Sequence, residues 1–183
     1  MDFSQGYNPR FLSNQTFAIK LAAILLFNSK HEALRGFHVT FAQTKLRKGN
    51  LMNKREYAQA NKEWLAAKAK EEGVKALPKG ILYKVLSEGN NDGVHPSPRS
   101  IVTAHYTGKT INGKKFDSSR GGAPLAIRLC DLIEGWIIAM QQMCVGDKWE
   151  VYIPAEMGYG KFSQPGIPGG STLIFEIELI GIA

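Results

Sequence analysis

Four short motifs lie in order along the stretch from Tyr106 to Tyr159, and they decide how the chain is interpreted. The stretch opens with His105-Tyr106-Thr107-Gly108, passes Phe116-Asp117-Ser118-Ser119 and Glu134-Gly135-Trp136, and closes at Gly158-Tyr159-Gly160. Three of the four motifs combine a large aromatic side chain with glycine, and the fourth contains Phe116. Aromatic residues of this kind would pack in the core of almost any fold, but glycine-flanked loops over an aromatic floor also favour a pocket.

Sequence patterns beyond Gly80 predict strands and one helix. Strands are expected at 81–86, 100–107, the segment leading to Phe116, 124–129, 148–153 and 172–180, because these segments alternate or are rich in β-branched and aromatic residues. Leu132 to Met143 has helical spacing and is followed by Gly146. Asn112-Gly113 predicts a type I′ hairpin turn. The expected fold class is α+β, with four to six antiparallel strands and one crossing helix.

The order and spacing of these motifs resemble the FKBP-type peptidyl-prolyl cis-trans isomerases. The resemblance continues through Gln164-Pro165-Gly166-Ile167-Pro168 and the run 171–179, and it covers residues 74–182. The segment 61–86 is similar to the junction of helix and first strand in the bacterial Mip-like branch. The resemblance implies an antiparallel β-sheet wrapped around one α-helix, preceded by a helical N-terminal arm. It also implies isomerisation of X-Pro bonds in protein folding, with no cofactor and no metal.

The resemblance assigns roles to nine residues. The implied catalytic residues are Asp117, Tyr159, Trp136 and Phe116, and the implied substrate-binding residues are Tyr106, Leu132, Ile133, Ile167 and Phe175. Trp136 would lie under the prolyl ring, and the Ile133 backbone N–H would bond a substrate carbonyl. The Tyr159 hydroxyl would donate to the carbonyl, and Asp117 would stand beside the twisting amide.

A few positions depart from the family pattern. Leu125 and Ile127 stand where the family usually has aromatic residues, Gln164 where a histidine is often found and Gly158 where alanine is common. These differences are expected to alter rate and peptide preference while leaving the aromatic floor in place.

Covalent, phosphate-binding and metal chemistry have little support. No Gly-x-Ser-x-Gly motif occurs, and Gly169-Gly170-Ser171-Thr172 lacks the lysine of a phosphate-binding loop. The four histidines show no metal-ligand spacing. Cys130 and Cys144 are too far apart in sequence for a Cys-x-x-Cys site, and both are expected to be small buried hydrophobic residues.

Charge divides the chain near Gly80. Residues 1–80 hold 14 Lys and Arg against 6 Asp and Glu, whereas residues 81–183 hold 9 against 10, so the whole net charge of +7 comes from the N-terminal part. The basic residues never form a dense block, so nucleic acid is not expected as a partner. An assembly or nucleic-acid adaptor acting through this arm is the alternative of a different class.

The N-terminal part is expected to comprise a basic segment, 1–51, and a helical arm, 52–73, ahead of an isomerase domain, 74–183. Within the arm, Tyr57, Ala60, Trp64 and Ala67 align on one helical stripe, and Gly73 is expected to end the helix. The stripe packs either on its own domain, the favoured interpretation, or against a second copy. The protein is therefore expected to be a monomer, or a homodimer through this helix.

Residues 1–51 allow three interpretations. The apolar run 19–27 has too long a lead, and no small-residue cleavage site follows it, so a secretory signal is disfavoured and a cytoplasmic location is expected, with the periplasm as the alternative. The run is also shorter than the roughly 20 residues of a membrane span. The third interpretation is that translation starts at Met52, since Lys48-Gly49-Asn50 can be encoded by a ribosome-binding sequence.

The expected partners are proline-containing unfolded or partly folded proteins. Macrolide inhibitors, which imitate the prolyl ring, are also expected to fit the pocket. The remaining alternative is a catalytically silent peptide-binding or chaperone module of the same fold.

Overall fold

The structure is a computed structural model, and it describes residues 53–183. The interpretations of residues 1–51 lie outside this range. Helix α1 spans Lys54–Lys68 and helix α2 spans Glu134–Met140. The strands are β1 Val74–Ala76, β2 Leu82–Ser87, β3 Ile101–Thr110, β4 Lys115–Ser118, β5 Leu125–Arg128, β6 Lys148–Ile153 and β7 Leu173–Ile182.

Within residues 53–183, the strands form one antiparallel sheet of seven strands in the order β1-β2-β6-β7-β3-β4, with β5 also paired to β3. Strand β7 lies between β6 and β3, so its residue Phe175 is opposite Val151 on one side and Gly108 on the other. The predicted α+β fold is confirmed. The strand count was too low, because β1 has only three residues and shows no alternation that the sequence could reveal.

The core lies between the inner face of the sheet and helix α2. Alternate residues of β3, β6 and β7 are buried there, together with Trp136, Ala139 and Met140 of α2. Gly135 lets the helix approach β6 closely, because a Cβ at this position would lie 2.4 Å from Cγ2 of Ile153. The short helix therefore sits where its Trp136 can face the sheet.

The turn between β3 and β4 differs from the predicted type I′ turn. Only Gly113 has a positive φ, of 79°, and Asn112 does not. The Gly113 N–H donates to the Thr110 carbonyl at 2.9 Å, and the Thr110 N–H donates to the Lys114 carbonyl at 3.0 Å. This is the pattern of a three-residue hairpin loop with a glycine bulge, a turn that Asn-Gly also permits.

Both helices are shorter than their sequence patterns predicted. Helix α1 ends at Lys68 rather than at Gly73, and the chain continues through tight turns in which Glu71 N–H donates to the Lys68 carbonyl and Val74 N–H to the Glu71 carbonyl. Gly73 has a φ of 78° and ends these turns rather than the helix. Helix α2 covers only the middle of the predicted segment 132–143.

Helix α1 begins with a capping box. The Asn53 side chain accepts hydrogen bonds from the N–H groups of Arg55 and Glu56, and the Glu56 carboxylate accepts one from the Asn53 N–H. Two of the free donors at the helix N-terminus are thereby satisfied, which fixes where the helix starts.

The inner side of α1 contacts the sheet domain, as the favoured interpretation of its stripe predicted. The Trp64 ring meets the Tyr152 ring edge to face at 5.9 Å between centroids, and Lys68 Nζ lies 5.2 Å above the Trp64 ring. Tyr57 is hydrogen-bonded to Ser171, whereas Ala67 is exposed. The face of α1 that contacts the sheet domain is therefore centred on Tyr57 and Trp64, and Ala67 lies outside it.

The two cysteines differ in exposure. Cys144 is buried, as predicted, but Cys130 is exposed, so its prediction was wrong. Cys130 lies in the single turn of 3-10 helix Leu129–Asp131, which directly follows β5. Within residues 53–183, no helix is long and apolar enough to cross a membrane.

Replacing Trp64 tests the packing of α1. We expect Trp64→Ala to lower the free energy of unfolding by about 2 kcal/mol, because the Tyr152 ring loses its edge contact and its cover. Urea denaturation of the full chain measures the change. Lys62→Ala is the matched control on the same helix, since Lys62 is exposed and its ion pair with Glu156 is weak. A Trp64→Ala loss no larger than the control's would contradict the packing.

Candidate active site

Four aromatic side chains, from β3, β4, α2 and β7, form a cluster on the inner face of the sheet. Phe175 meets Trp136 at 5.2 Å, Phe116 at 5.6 Å and Tyr106 at 6.3 Å between ring centroids, and Tyr106 meets Trp136 at 5.3 Å. Three of these four contacts are edge to face, the arrangement that aromatic rings prefer. Trp136 and Phe175 are buried, and Tyr106 and Phe116 are half-buried at the rim.

Gly108 makes room for the cluster. It is paired with Phe175 on β7 and with Asp117 on β4. A Cβ at Gly108 would lie 2.6 Å from two carbons of the Phe116 ring and 2.8 Å from the Phe175 ring. Contacts that short do not occur, so any side chain here would push the two rings apart.

Asp117 lies beside the cluster and is held from two sides. The Tyr106 hydroxyl donates to one carboxylate oxygen, and the Ser118 N–H donates to the other at 2.8 Å. Burial, followed by the hydrogen bond to Asp117 and its negative charge, raises the pKa of Tyr106 above its ordinary value. The tyrosine therefore keeps its proton and keeps the carboxylate in one orientation.

Tyr159 follows a short turn after β6. The turn is closed by Gly158 N–H and Gly160 N–H, which donate to the Ala155 carbonyl at 3.0 and 2.7 Å. Burial raises the pKa of Tyr159, and the nearby charge of Asp117 adds to the effect. Its hydroxyl therefore remains a hydrogen-bond donor well above neutral pH.

Ile133 is the residue immediately before helix α2, with extended backbone angles. Its carbonyl accepts from the N–H groups of Trp136 and Ile137, but within residues 53–183 its own N–H donates to no protein acceptor. The side chains of Leu132 and Ile133 are buried. A free backbone donor at the start of the helix that carries Trp136 suits a bound carbonyl group.

Ile167 lies in the loop between β6 and β7. Its N–H donates to the Gln164 carbonyl at 2.9 Å, and Gln164 N–H donates back at 2.8 Å, which makes a tight turn through Gly166 at a φ of 80°. The Ile167 side chain is 2% exposed, so this part of the loop is packed against the protein. Gly166 also approaches Phe116 of the cluster, since a Cβ there would lie 3.6 Å from the Phe116 Cβ.

The nine predicted residues thus differ in how closely the structure joins them. Direct contacts join Tyr106, Phe116, Trp136 and Phe175, and Asp117 through Tyr106. Burial, followed by the negative charge of Asp117, raises the pKa of Tyr159. Leu132 and Ile133 directly precede the helix that carries Trp136, and Ile167 follows Gly166, which approaches Phe116. Leu125 and Ile127, the positions that depart from the family pattern, are half-buried on β5. No group of three His, Cys, Asp or Glu side chains suited to a metal ion occurs in the described range 53–183.

This chain is similar to proteins of one known family. The family model described as FKBP-type peptidyl-prolyl cis-trans isomerase matches residues 93–180, and the model of the domain amino-terminal to it matches residues 22–85. The FKBP-type 22 kDa peptidyl-prolyl cis-trans isomerase of Escherichia coli K12 is 38% identical over 154 residues, which are 83% of this chain and 71% of that protein. The chain belongs to the FKBP-type peptidyl-prolyl cis-trans isomerase family.

Two further matches define how much of the FKBP-type relatives the chain represents. FkpA of Aeromonas hydrophila is 39% identical over 128 residues, or 69% of this chain and 47% of FkpA. A crystal structure of a peptidyl-prolyl cis-trans isomerase from Pseudomonas syringae superposes with a TM-score of 0.67 at 34% identity, covering 74% of this chain and 99% of that one. The chain spans about half the length of the first curated relatives it matches, FkpA among them.

Sequence reasoning missed the glycines that make room for the ring cluster and for helix α2. Neither Gly108 nor Gly135 has a positive φ, so the reason for glycine at these positions is steric. Gly108 makes room for the rings of Phe116 and Phe175, and Gly135 makes room for the side chain of Ile153. The only sequence signal was their position in the two motifs, where Gly108 follows Tyr106 by two residues and Gly135 directly precedes Trp136. That signal does not show which ring or side chain would collide.

A single methyl group at Gly108 tests the cluster's packing. We expect Gly108→Ala to lower the free energy of unfolding by about 1–3 kcal/mol, because two rings must move. Gly181→Ala is the matched control on the neighbouring strand, where the nearest atom to the new Cβ is Thr103 Cβ at 3.9 Å. Thermal and urea denaturation of both variants measure the difference. Equal stability of the two variants would mean that the rings are not packed against Gly108.

Proposed function

We propose that this protein accelerates the cis-trans isomerisation of X-Pro bonds in unfolded or partly folded proteins. The observation that carries the proposal is the buried Trp136 at the centre of the ring cluster, on a helix whose first backbone donor, Ile133 N–H, is free among residues 53–183. Such a site offers an apolar floor for a prolyl ring and a donor for a neighbouring carbonyl. Membership of the FKBP-type family supports the same conclusion.

The proposed mechanism follows from the electronic structure of the amide. Resonance gives the C–N bond partial double-bond character and a rotation barrier of about 18–20 kcal/mol. Resonance also separates charge, so water stabilises the planar amide more than the twisted one. A pocket that excludes water and fits the twisted bond lowers the barrier, and each tenfold gain in rate requires about 1.4 kcal/mol.

The residues would share this work in three ways. Trp136, with Phe116, Tyr106 and Phe175 as walls, holds the prolyl ring out of water. The N–H of Ile133 and the Tyr159 hydroxyl donate hydrogen bonds to substrate carbonyls. Asp117, fixed by Tyr106 and by Ser118 N–H, places a negative charge beside the amide. Leu132 and Ile167 complete the apolar border, and no residue has to form a covalent bond.

The domain boundaries, the oligomeric state and the binding of macrolides remain predictions. The boundaries 1–51, 52–73 and 74–183 are kept as the domain proposal, although the contacts of α1 tie it to the sheet domain. Dimerisation through α1 would have to use its outer side. Macrolide binding would follow if such ligands rest on Trp136 as a prolyl ring does.

The compartment also remains a prediction, with the cytoplasm and the periplasm as candidates. The exposed free thiol of Cys130 suits the reducing cytoplasm. Cell fractionation followed by detection of the natural protein separates the two candidates.

A proline-peptide assay tests the function and ranks the residues. We expect the full chain to accelerate isomerisation of a Leu-Pro peptide, and Trp136→Ala to lower kcat/KM by about 10- to 100-fold by opening the dry pocket. Phe116→Ala should approach that loss, Asp117→Asn should lose less, and Tyr159→Phe should lose about fivefold, the equivalent of one hydrogen bond.

Tyr83→Ala is the control for lost stability, because the Tyr83 ring stacks on Trp149 at 4.3 Å between centroids and belongs neither to α1 nor to the cluster. Its kcat/KM should stay within about twofold of the unmodified chain, since no proposed site residue changes. Tight peptide binding without any acceleration would identify the silent binding module instead. A mild Trp136→Ala effect beside a complete loss in Asp117→Asn would overturn the assignment of roles.

A further inference from the structure

The segment Pro168–Thr172 connects two parts of the proposed site. It follows Ile167 in the loop after β6 and leads into β7, which carries Phe175. We call it the connecting segment, and we call residues 158–167 the site loop. Within the connecting segment, Ser171 and Thr172 are buried, which is unusual for polar residues outside helices and strands. Their burial is explained by helix α1, which lies against them.

Asn61 of α1 holds Thr172 through its side chain and its backbone. Its side-chain oxygen accepts from the Thr172 N–H at 2.8 Å, and its carbonyl accepts from the Thr172 hydroxyl at 3.3 Å. The Asn61 amide nitrogen donates to the Tyr57 carbonyl at 2.8 Å, which fixes the amide orientation. Asn61 is 1% exposed, so these bonds have no competition from water.

Two neighbours on the same side of α1 hold the rest of the connecting segment. Tyr57 and Ser171 hydroxyls lie 3.0 Å apart, and the Ser171 hydroxyl donates to the Pro168 carbonyl at 2.6 Å, so Tyr57 is the donor to Ser171. Gly170, at a φ of 84°, packs against Ala58, whose Cβ would be 2.8 Å from a Cβ at Gly170. There is no space for the segment to shift towards the helix.

The constraint continues from the connecting segment into the site loop. The Gly170 N–H donates to the Gly160 carbonyl at 2.8 Å, one residue after Tyr159. Gly169 lies against the loop backbone, because a Cβ there would be 2.1 Å from the Lys161 carbonyl oxygen. The Gly169 N–H also donates to the Ser163 hydroxyl at 3.0 Å. The position of α1 thus sets the position of the loop that carries Tyr159 and Ile167.

We propose that Asn61 is a positioning residue for the isomerase site, acting through Thr172 and the connecting segment on the site loop. The proposal rests on the proposed function and deepens it. It gives the N-terminal helix a part in peptide turnover, whereas the nine site residues predicted from the sequence all lie beyond that helix.

The experiment compares Asn61→Ala with Asn53→Ala in the full chain. Both remove an asparagine amide from α1, but Asn53 is the exposed cap and contacts only its own helix. Amide hydrogen exchange should become faster at Thr172, Gly170 and Ile167 in Asn61→Ala and stay unchanged there in Asn53→Ala. The Leu-Pro peptide should show a loss of about tenfold in kcat for Asn61→Ala with KM little changed, because the floor at Trp136 is intact and the loop is misplaced.

The outcomes separate this inference from the proposed function. Faster exchange at Thr172 alone, or a kcat for Asn61→Ala equal to that of Asn53→Ala, overturns the positioning role. An unmodified chain without turnover refutes the proposed function, and the exchange pattern still decides whether Asn61 holds the site loop. If Asn61→Ala does not fold, Tyr57→Phe replaces it, because this change removes only the hydroxyl that bonds Ser171. Faster amide exchange at Gly170 in Tyr57→Phe would support the positioning role of α1, and unchanged exchange there would overturn it.

Discussion

The edge-to-face contacts of Phe175 are the interaction on which the rest of the structure depends. Phe175 lies on the central strand β7 and touches Trp136, Phe116 and Tyr106, which come from α2, β4 and β3. One side chain therefore joins β3, β4 and β7 to the helix. The same contacts that stabilise the core also shape the apolar floor of the proposed site. Gly108, opposite Phe175, makes this arrangement possible, because any side chain at position 108 would push the Phe116 and Phe175 rings apart.

The floor and the loop of the site are held by different parts of the chain. The floor rests on the sheet and α2, whereas the loop with Tyr159 and Ile167 is held through the connecting segment by α1. Buried hydrogen bonds from Asn61 to Thr172 cross 111 residues of sequence to make that link. The N-terminal helix is thus part of the folded domain and not only an arm attached to it.

The sequence predicted six of the seven strands within residues 53–183 and helix α2, because alternation and helical spacing are local properties, whereas the residues of the ring cluster were implied by the family resemblance. It did not predict where α1 ends, since Lys68 and Gly73 both suit a helix terminus and packing on the domain decides between them. The Asn112 turn type depends on a backbone angle that Asn-Gly leaves open. Asn61 was invisible for another reason. A polar residue inside a helix gives no sign of a partner on a strand far along the chain, and only the folded structure brings Thr172 beside it.

The central claim is that the site lowers the rotation barrier by excluding water and fitting the twisted bond, with no proton transfer. The pH dependence of kcat/KM for a Leu-Pro peptide tests it most directly. Burial and the charge of Asp117 raise the pKa values of Tyr106 and Tyr159, so both hydroxyls stay protonated throughout the alkaline part of the profile. The account predicts kcat/KM constant within about twofold between about pH 6 and 9. A bell-shaped profile in that range would show acid–base catalysis and contradict the account.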